Sequence, residues 1–143
     1  MANWDEAAAQ AKSVYGNALP GLTDAQWLAY AERGYRENAR GVPVPDMDPR
    51  IADAFRNQSS ARVDLWTSFT QIRKVPILAI RGALSDLLTA TTVARMAREK
   101  PGLQEVTVAQ RGHAPLLNEP ECVSAIDHFL TLYGRESETG CHP

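Results

Sequence analysis

The sequence predicts an α/β protein: a mainly helical first part, then a strand–helix–strand–helix unit whose two strands run parallel. Three observations carry this expectation. Helix start and stop signals fill residues 1–61, the two strand-like apolar runs appear only after residue 74, and a helical pattern of crossover length separates them. The division falls near residues 61–74, giving a helical segment 1–61, a core segment 62–134 and a polar tail 135–143.

Trp4 to Val14 (WDEAAAQAKSV) is rich in good helix formers, carries acids in its first turn and stops at Gly16-Asn17, so a helix is expected there. Thr23-Asp24-Ala25-Gln26 fits a capping box, with Leu22 as a hydrophobic staple. The apolar series Trp27, Tyr30, Ala31, Gly34 and Tyr35 carries this second helix to about Asn38. In Gly41-Val42-Pro43-Val44-Pro45-Asp46 two prolines prevent helix and forbid a central strand, which leaves an extended loop. Asp48-Pro49 reads as an N-cap with proline at N1, opening a short helix to about Arg56, and Asn57 to Ala61 reads as a polar turn. Asp64 to Ile72 is a short amphipathic helix, interrupted by Lys74-Val75-Pro76. Ile77-Leu78-Ala79-Ile80 is apolar on both faces, as a strand inside a parallel sheet is. Thr89 to Lys100 reads as a helix with Val93, Met96 and Ala97 on one face, stopped by Pro101-Gly102. Leu103 to Ala109 alternates as the second strand, Gln110 to Asn118 is a loop, and Pro120 to Tyr133 is the last helix with Gly134 at its C′ position.

Composition narrows the functional classes. The 143 residues carry 15 Lys+Arg against 17 Asp+Glu, 44% hydrophobic residues and 2 Cys. A chain of this size buries roughly two-thirds of its unfolded surface, so it needs neither a disulfide framework nor a structural metal, and no Cys/His cluster has zinc spacing. A net charge of −2 with mixed signs argues against nucleic acid as a partner. The longest apolar run, Val75 to Ile80, is far short of the roughly 18 residues that a membrane span needs. The start, Met-Ala-Asn-Trp-Asp-Glu, has neither a basic nor an apolar leader region, so a cytoplasmic protein is expected.

Ligands of open parallel sheets bind beyond the carboxyl ends of the strands. Here those positions are Arg81-Gly82-Ala83-Leu84-Ser85-Asp86 and Gln110-Arg111-Gly112-His113. Strands joined by one such crossover are neighbours about 4.8 Å apart, so the two loops emerge side by side and Asp86 and His113 can come within hydrogen-bonding reach. An Asp that accepts from imidazole Nδ1 fixes the tautomer and leaves Nε2 as a general base. Taken singly, Asp86 reads as a helix cap or turn residue and His113 as a surface or packed side chain. Their joint placement makes them catalytic candidates. Trp27, Tyr30 and Tyr35 have two readings at helical spacing, a substrate-binding wall beneath a lid and plain helix core. Ser85 reads as a turn residue, Cys122 as buried, and Glu119 and Glu121 as charges favouring the N-terminus of the last helix.

Val75 to Leu88 (VPILAIRGALSDLL) resembles the penultimate strand and acid loop of α/β-hydrolases, and Arg111 to Glu121 (RGHAPLLNEPE) resembles their histidine loop. Cys122 to Leu132 is similar to the family's closing helix, so the match covers residues 75–133, and residues 1–74 resemble, less specifically, the family's helical cap. The resemblance implies a partial α/β-hydrolase fold, Asp86 as triad acid and His113 as base. It also implies small esters or carbon–carbon bonds of diketone-like compounds as substrates, with no cofactor. The sequence departs from the family in having no Gly-x-Ser-x-Gly elbow: no Gly has Ser, Cys or Asp two positions later. The isolated chain is therefore expected to be inert, with the nucleophilic serine supplied from outside it. A strand apolar on both faces with an open edge seeks cover, so a second copy or a chain carrying the nucleophile half is the expected partner. The alternative reading is a non-catalytic hydrolase remnant that serves as an assembly module.

Overall fold

A computed structural model of the chain describes residues 2–48, 50–51, 53 and 64–134. The chain divides into two compact units, Met1–Val63 and Asp64–Pro143.

In the first unit, α1 (Trp4–Tyr15) begins where the Asn3 side chain accepts from Glu6 N, and α2 (Asp24–Gly34) begins with the full capping box of Thr23 and Gln26. The two helices pack as a hairpin over Ala7, Ala8 and Ala11 of α1 and Trp27 and Ala31 of α2, all buried. Alanines on one helix let the other approach closely enough for a single indole to fill the seam.

The second helix stops at Gly34, short of Asn38, and the expected loop is a hairpin: β1 (Tyr35–Glu37) pairs antiparallel with β2 (Pro43–Pro45). Asn38 builds the turn, its Oδ1 accepting from Arg40 N at 2.8 Å and Val42 N at 3.2 Å, while Gly41 takes a φ of 71°. The prolines are tolerated because of register. Asn38 N donates to Val42 O and Asp46 N donates to Gly34 O, so residues 42, 44 and 46 face the partner strand. Pro43 and Pro45 then turn their ring nitrogens away from the ladder and forfeit no bond. Beyond the hairpin, Asp48 Oδ1 accepts from Arg50 N at 2.9 Å, and Arg50, Ile51 and Asp53 are helical. The remainder of that expected helix, the turn at Asn57 to Ala61 and the tail from residue 135 lie outside the described residues.

The second unit opens with α3 (Leu65–Gln71), capped by Asp64. Lys100 Nζ donates to the carbonyls of Thr70 and Ile72, satisfying the end of that helix. Next come β3 (Leu78–Gly82), α4 (Ala90–Glu99) behind its N-cap Thr89, β4 (Gln104–Val108) and α5 (Pro120–Tyr133). The strands pair in parallel, from Leu78 opposite Gln104 to Gly82 opposite Val108, and α5 packs on both. Among the described residues each strand has this one partner. Within Ile77 to Ile80 only Ala79 is buried, because two strands and their helices cover too little surface to enclose both faces. Among the described residues no helix is long and apolar enough to cross a membrane.

Candidate active site at the carboxyl ends of the parallel strands

The parallel pairing brings the ends of β3 and β4 together, and backbone contacts then lock the two following loops to each other. Ala83 N donates to Val108 O and Leu84 N to Arg111 O, both at 2.8 Å. Gly82 makes this approach possible: a Cβ there would lie 2.1 Å from Gly112 O and 2.3 Å from Arg111 O. A larger residue would force the histidine loop off the end of β3.

Each loop is also braced from within. Ser85 is buried and its Oγ accepts from Leu88 N at 2.9 Å, so it is a turn residue, as its sequence context suggests. Arg81 donates from Nε to Leu88 O at 2.8 Å and from Nη2 to Ala83 O at 3.0 Å. In the second loop, Arg111 Nε and Glu119 Oε1 form an ion pair at 2.7 Å, with side chains 18% and 7% exposed. The same Glu119 oxygen accepts from Leu116 N at 3.2 Å. Burial alone would raise the Glu119 pKa. Hydrogen bonds from its own backbone, Arg111, Leu116 and Cys122 outweigh that and hold it below the ordinary value. Glu119 was expected to serve the last helix through its charge; it is the N-cap residue of α5, yet its side chain makes no capping bond and braces the histidine loop instead. Cys122, fully buried in the first turn of α5, has its thiol pushed up to about 11, first by burial and then by Glu119, which leaves it an inert packing group.

Asp86 and His113 occupy these two loops at the same end of the sheet. Both side chains are exposed, and no hydrogen bond or ion pair joins them. In the first unit Trp27 is only 2% exposed; it fills the α1–α2 seam and borders a cleft of about 470 Å³ with Ala8, Lys12 and Leu28. Tyr30 and Tyr35 are half-buried, and the Tyr30 ring lies 5.6 Å from those of Trp27 and Tyr15. Burial, with Tyr15 and Tyr35 nearby, raises the Tyr30 phenol. Among the described residues no group of three or more His, Cys, Asp or Glu side chains is placed to hold a metal ion. Sequence reasoning missed the roles of Arg81 and the Arg111–Glu119 pair. The spacing of Arg111 and Glu119 at the two ends of the histidine loop was the signal available.

No family model matches the sequence. A stretch of 89 residues is 36% identical to the 3-hydroxybutyrate-oligomer hydrolase of Cupriavidus necator, covering 59% of this chain and 30% of that protein. An α/β hydrolase from Novosphingobium aromaticivorans matches with a TM-score of 0.81 at 37% identity, over 90% of this chain and 46% of that one. E-2-(acetamidomethylene)succinate hydrolase matches with a TM-score of 0.58 at 24% identity, over 87% and 45%, a likeness of fold alone. The chain spans less than half the length of each of these proteins. Strand order, loop placement and these likenesses together show that the chain has a partial α/β-hydrolase fold.

Proposed function

We propose that this chain is the acid-and-histidine part of a hydrolase of small esters. The observation that carries the reading is the locking of the two strand-end loops, Leu84 N on Arg111 O with Gly82 against Gly112, which sets Asp86 and His113 on neighbouring loops. In the working site Asp86 accepts from His113 Nδ1, and His113 Nε2 takes the proton of a serine supplied from outside these 143 residues. The serine oxygen attacks the ester carbonyl, His113 returns the proton to the departing alcohol, and water activated by the same imidazole releases the acid. The curated relative acts, by its name, on 3-hydroxybutyrate oligomers, which favours hydroxyacid esters over the carbon–carbon bonds of diketone-like compounds. The free edge of β3 is the surface we assign to the partner that brings the serine, a chain carrying the nucleophile half.

One observation favours the second reading, a non-catalytic assembly module: Asp86 and His113 are exposed and unbonded to each other. Turnover of p-nitrophenyl acetate separates the two. The purified chain is expected to show none above buffer, and activity is expected once an in-frame Gly-x-Ser-x-Gly segment, read from the coding DNA upstream of Met1, is expressed with it. No activity in that longer polypeptide would favour the assembly module.

A further inference from the structure

At the loop tips nothing fixes the separation of Asp86 from His113, since both are exposed and no bond joins them. At the loop bases an arginine braces each of the two segments. Arg81, within β3, clasps Ala83 O and Leu88 O, the two ends of the segment that carries Asp86. Arg111, just past β4, donates from Nε to Glu119 Oε1 and from Nη1 to Gln110 O, so its fork joins the two ends of the segment that carries His113, while its own carbonyl holds Leu84 N of the acid loop. Leu116 N on Glu119 Oε1 adds a third point of closure.

A buried ion pair is a poor device for stability alone, because desolvation offsets most of its attraction. A guanidinium offers something else. Its planar, directional donors hold two acceptors at a set spacing, which an ammonium or an apolar pair does not. Resting on the hydrolase reading above, we propose that Arg81 and the Arg111–Glu119 pair are positioning residues that set the distance between Asp86 and His113. They touch no substrate and act through the backbone of the two loops.

The distance can be read without any turnover. In a chain carrying Cys141→Ser, Asp86→Cys and His113→Cys, dibromobimane becomes strongly fluorescent when it bridges the two new thiols. Cys122 stays silent because its thiol is buried and its pKa is pushed up to about 11. The expected result is rapid bridging in this parent, slowed about tenfold by Arg81→Leu or by Arg111→Leu, at temperatures well below each variant's melting point. A merely stabilising role would lower the melting temperature without changing the bridging rate. Arg111→Lys is expected not to rescue it, because a point charge lacks the fork. If Arg111→Leu fails to fold, the apolar replacement Arg111→Met with Glu119→Leu removes the orphaned carboxylate and serves in its place. Unchanged bridging in the arginine variants overturns the positioning proposal and leaves the hydrolase reading intact. No bridging in the parent shows that Asp86 and His113 are not neighbours and sinks both.

Discussion

The helix hairpin of the first unit and the strand-end loops of the second are held by opposite means. In the hairpin, Ala7, Ala11, Trp27 and Ala31 are nearly or fully enclosed, and apolar packing does the positioning. Around the strand ends Leu84, Leu87 and Leu117 are 54%, 71% and 49% exposed, and the ordering comes from backbone hydrogen bonds, two arginines and a glycine. The difference teaches how each region is held. Apolar packing tolerates sliding and repacking, whereas directional polar contacts fix where a loop goes, which is what a site needs.

The largest effect is expected at Gly82. Gly82→Val would place side-chain atoms inside the space of Gly112 O and Arg111 O, backbone atoms with nowhere to move, so a loss of about 4 kcal/mol or more is expected. Soluble yield and circular dichroism will read this as failure of the second unit to fold; a valine variant as stable as the parent would mean the loops are not locked. Trp27→Ala comes next, at about 3–5 kcal/mol by urea denaturation, because the seam cannot close over the missing indole. If Trp27 served only as a substrate wall, stability would hardly change.

Glu119→Gln breaks a buried pair and is expected to cost about 3 kcal/mol. Its pH signature is specific. Glu119 titrates lower in the folded chain than in the unfolded one, so its contribution is present above the unfolded value and is lost as pH falls through the folded value. Acid titration of stability should therefore drop below about pH 4 in the parent, through a step that Glu119→Gln lacks. Identical acid profiles would show that the pair contributes nothing. The smallest effect belongs to Thr23→Ala, which removes the capping box of α2 at a cost of about 1 kcal/mol in thermal melts.

The second unit was legible because its signals are local. The apolar run at Ile77 to Ile80 states a strand, the helical pattern from Thr89 to its stop at Pro101-Gly102 states a helix, and α5 runs from Pro120 to Tyr133 as its sequence suggests. The β1–β2 hairpin was hidden because a proline's meaning depends on register: Pro43 and Pro45 read as strand breakers until Asn38 and Gly41 fix which residues face the partner. The placement of the candidate site was legible to the level of loops. Asp86 and His113 could be assigned to one sheet edge from the crossover, but the Arg111–Glu119 brace depends on how the loop folds back across Leu116, which no periodicity encodes. The Gly-x-Ser-x-Gly elbow does not occur among these 143 residues, so the nucleophile of the proposed reaction has no assigned position in them.

The most direct test of the hydrolase reading is the rate of p-nitrophenyl acetate hydrolysis by the polypeptide that joins a Gly-x-Ser-x-Gly segment to this chain, measured with and without His113→Ala. A fall in kcat of about 10³-fold or more, with the fold intact by circular dichroism, is the expected result. A rate within twofold of the parent would contradict it, and His113 would then have no part in the chemistry.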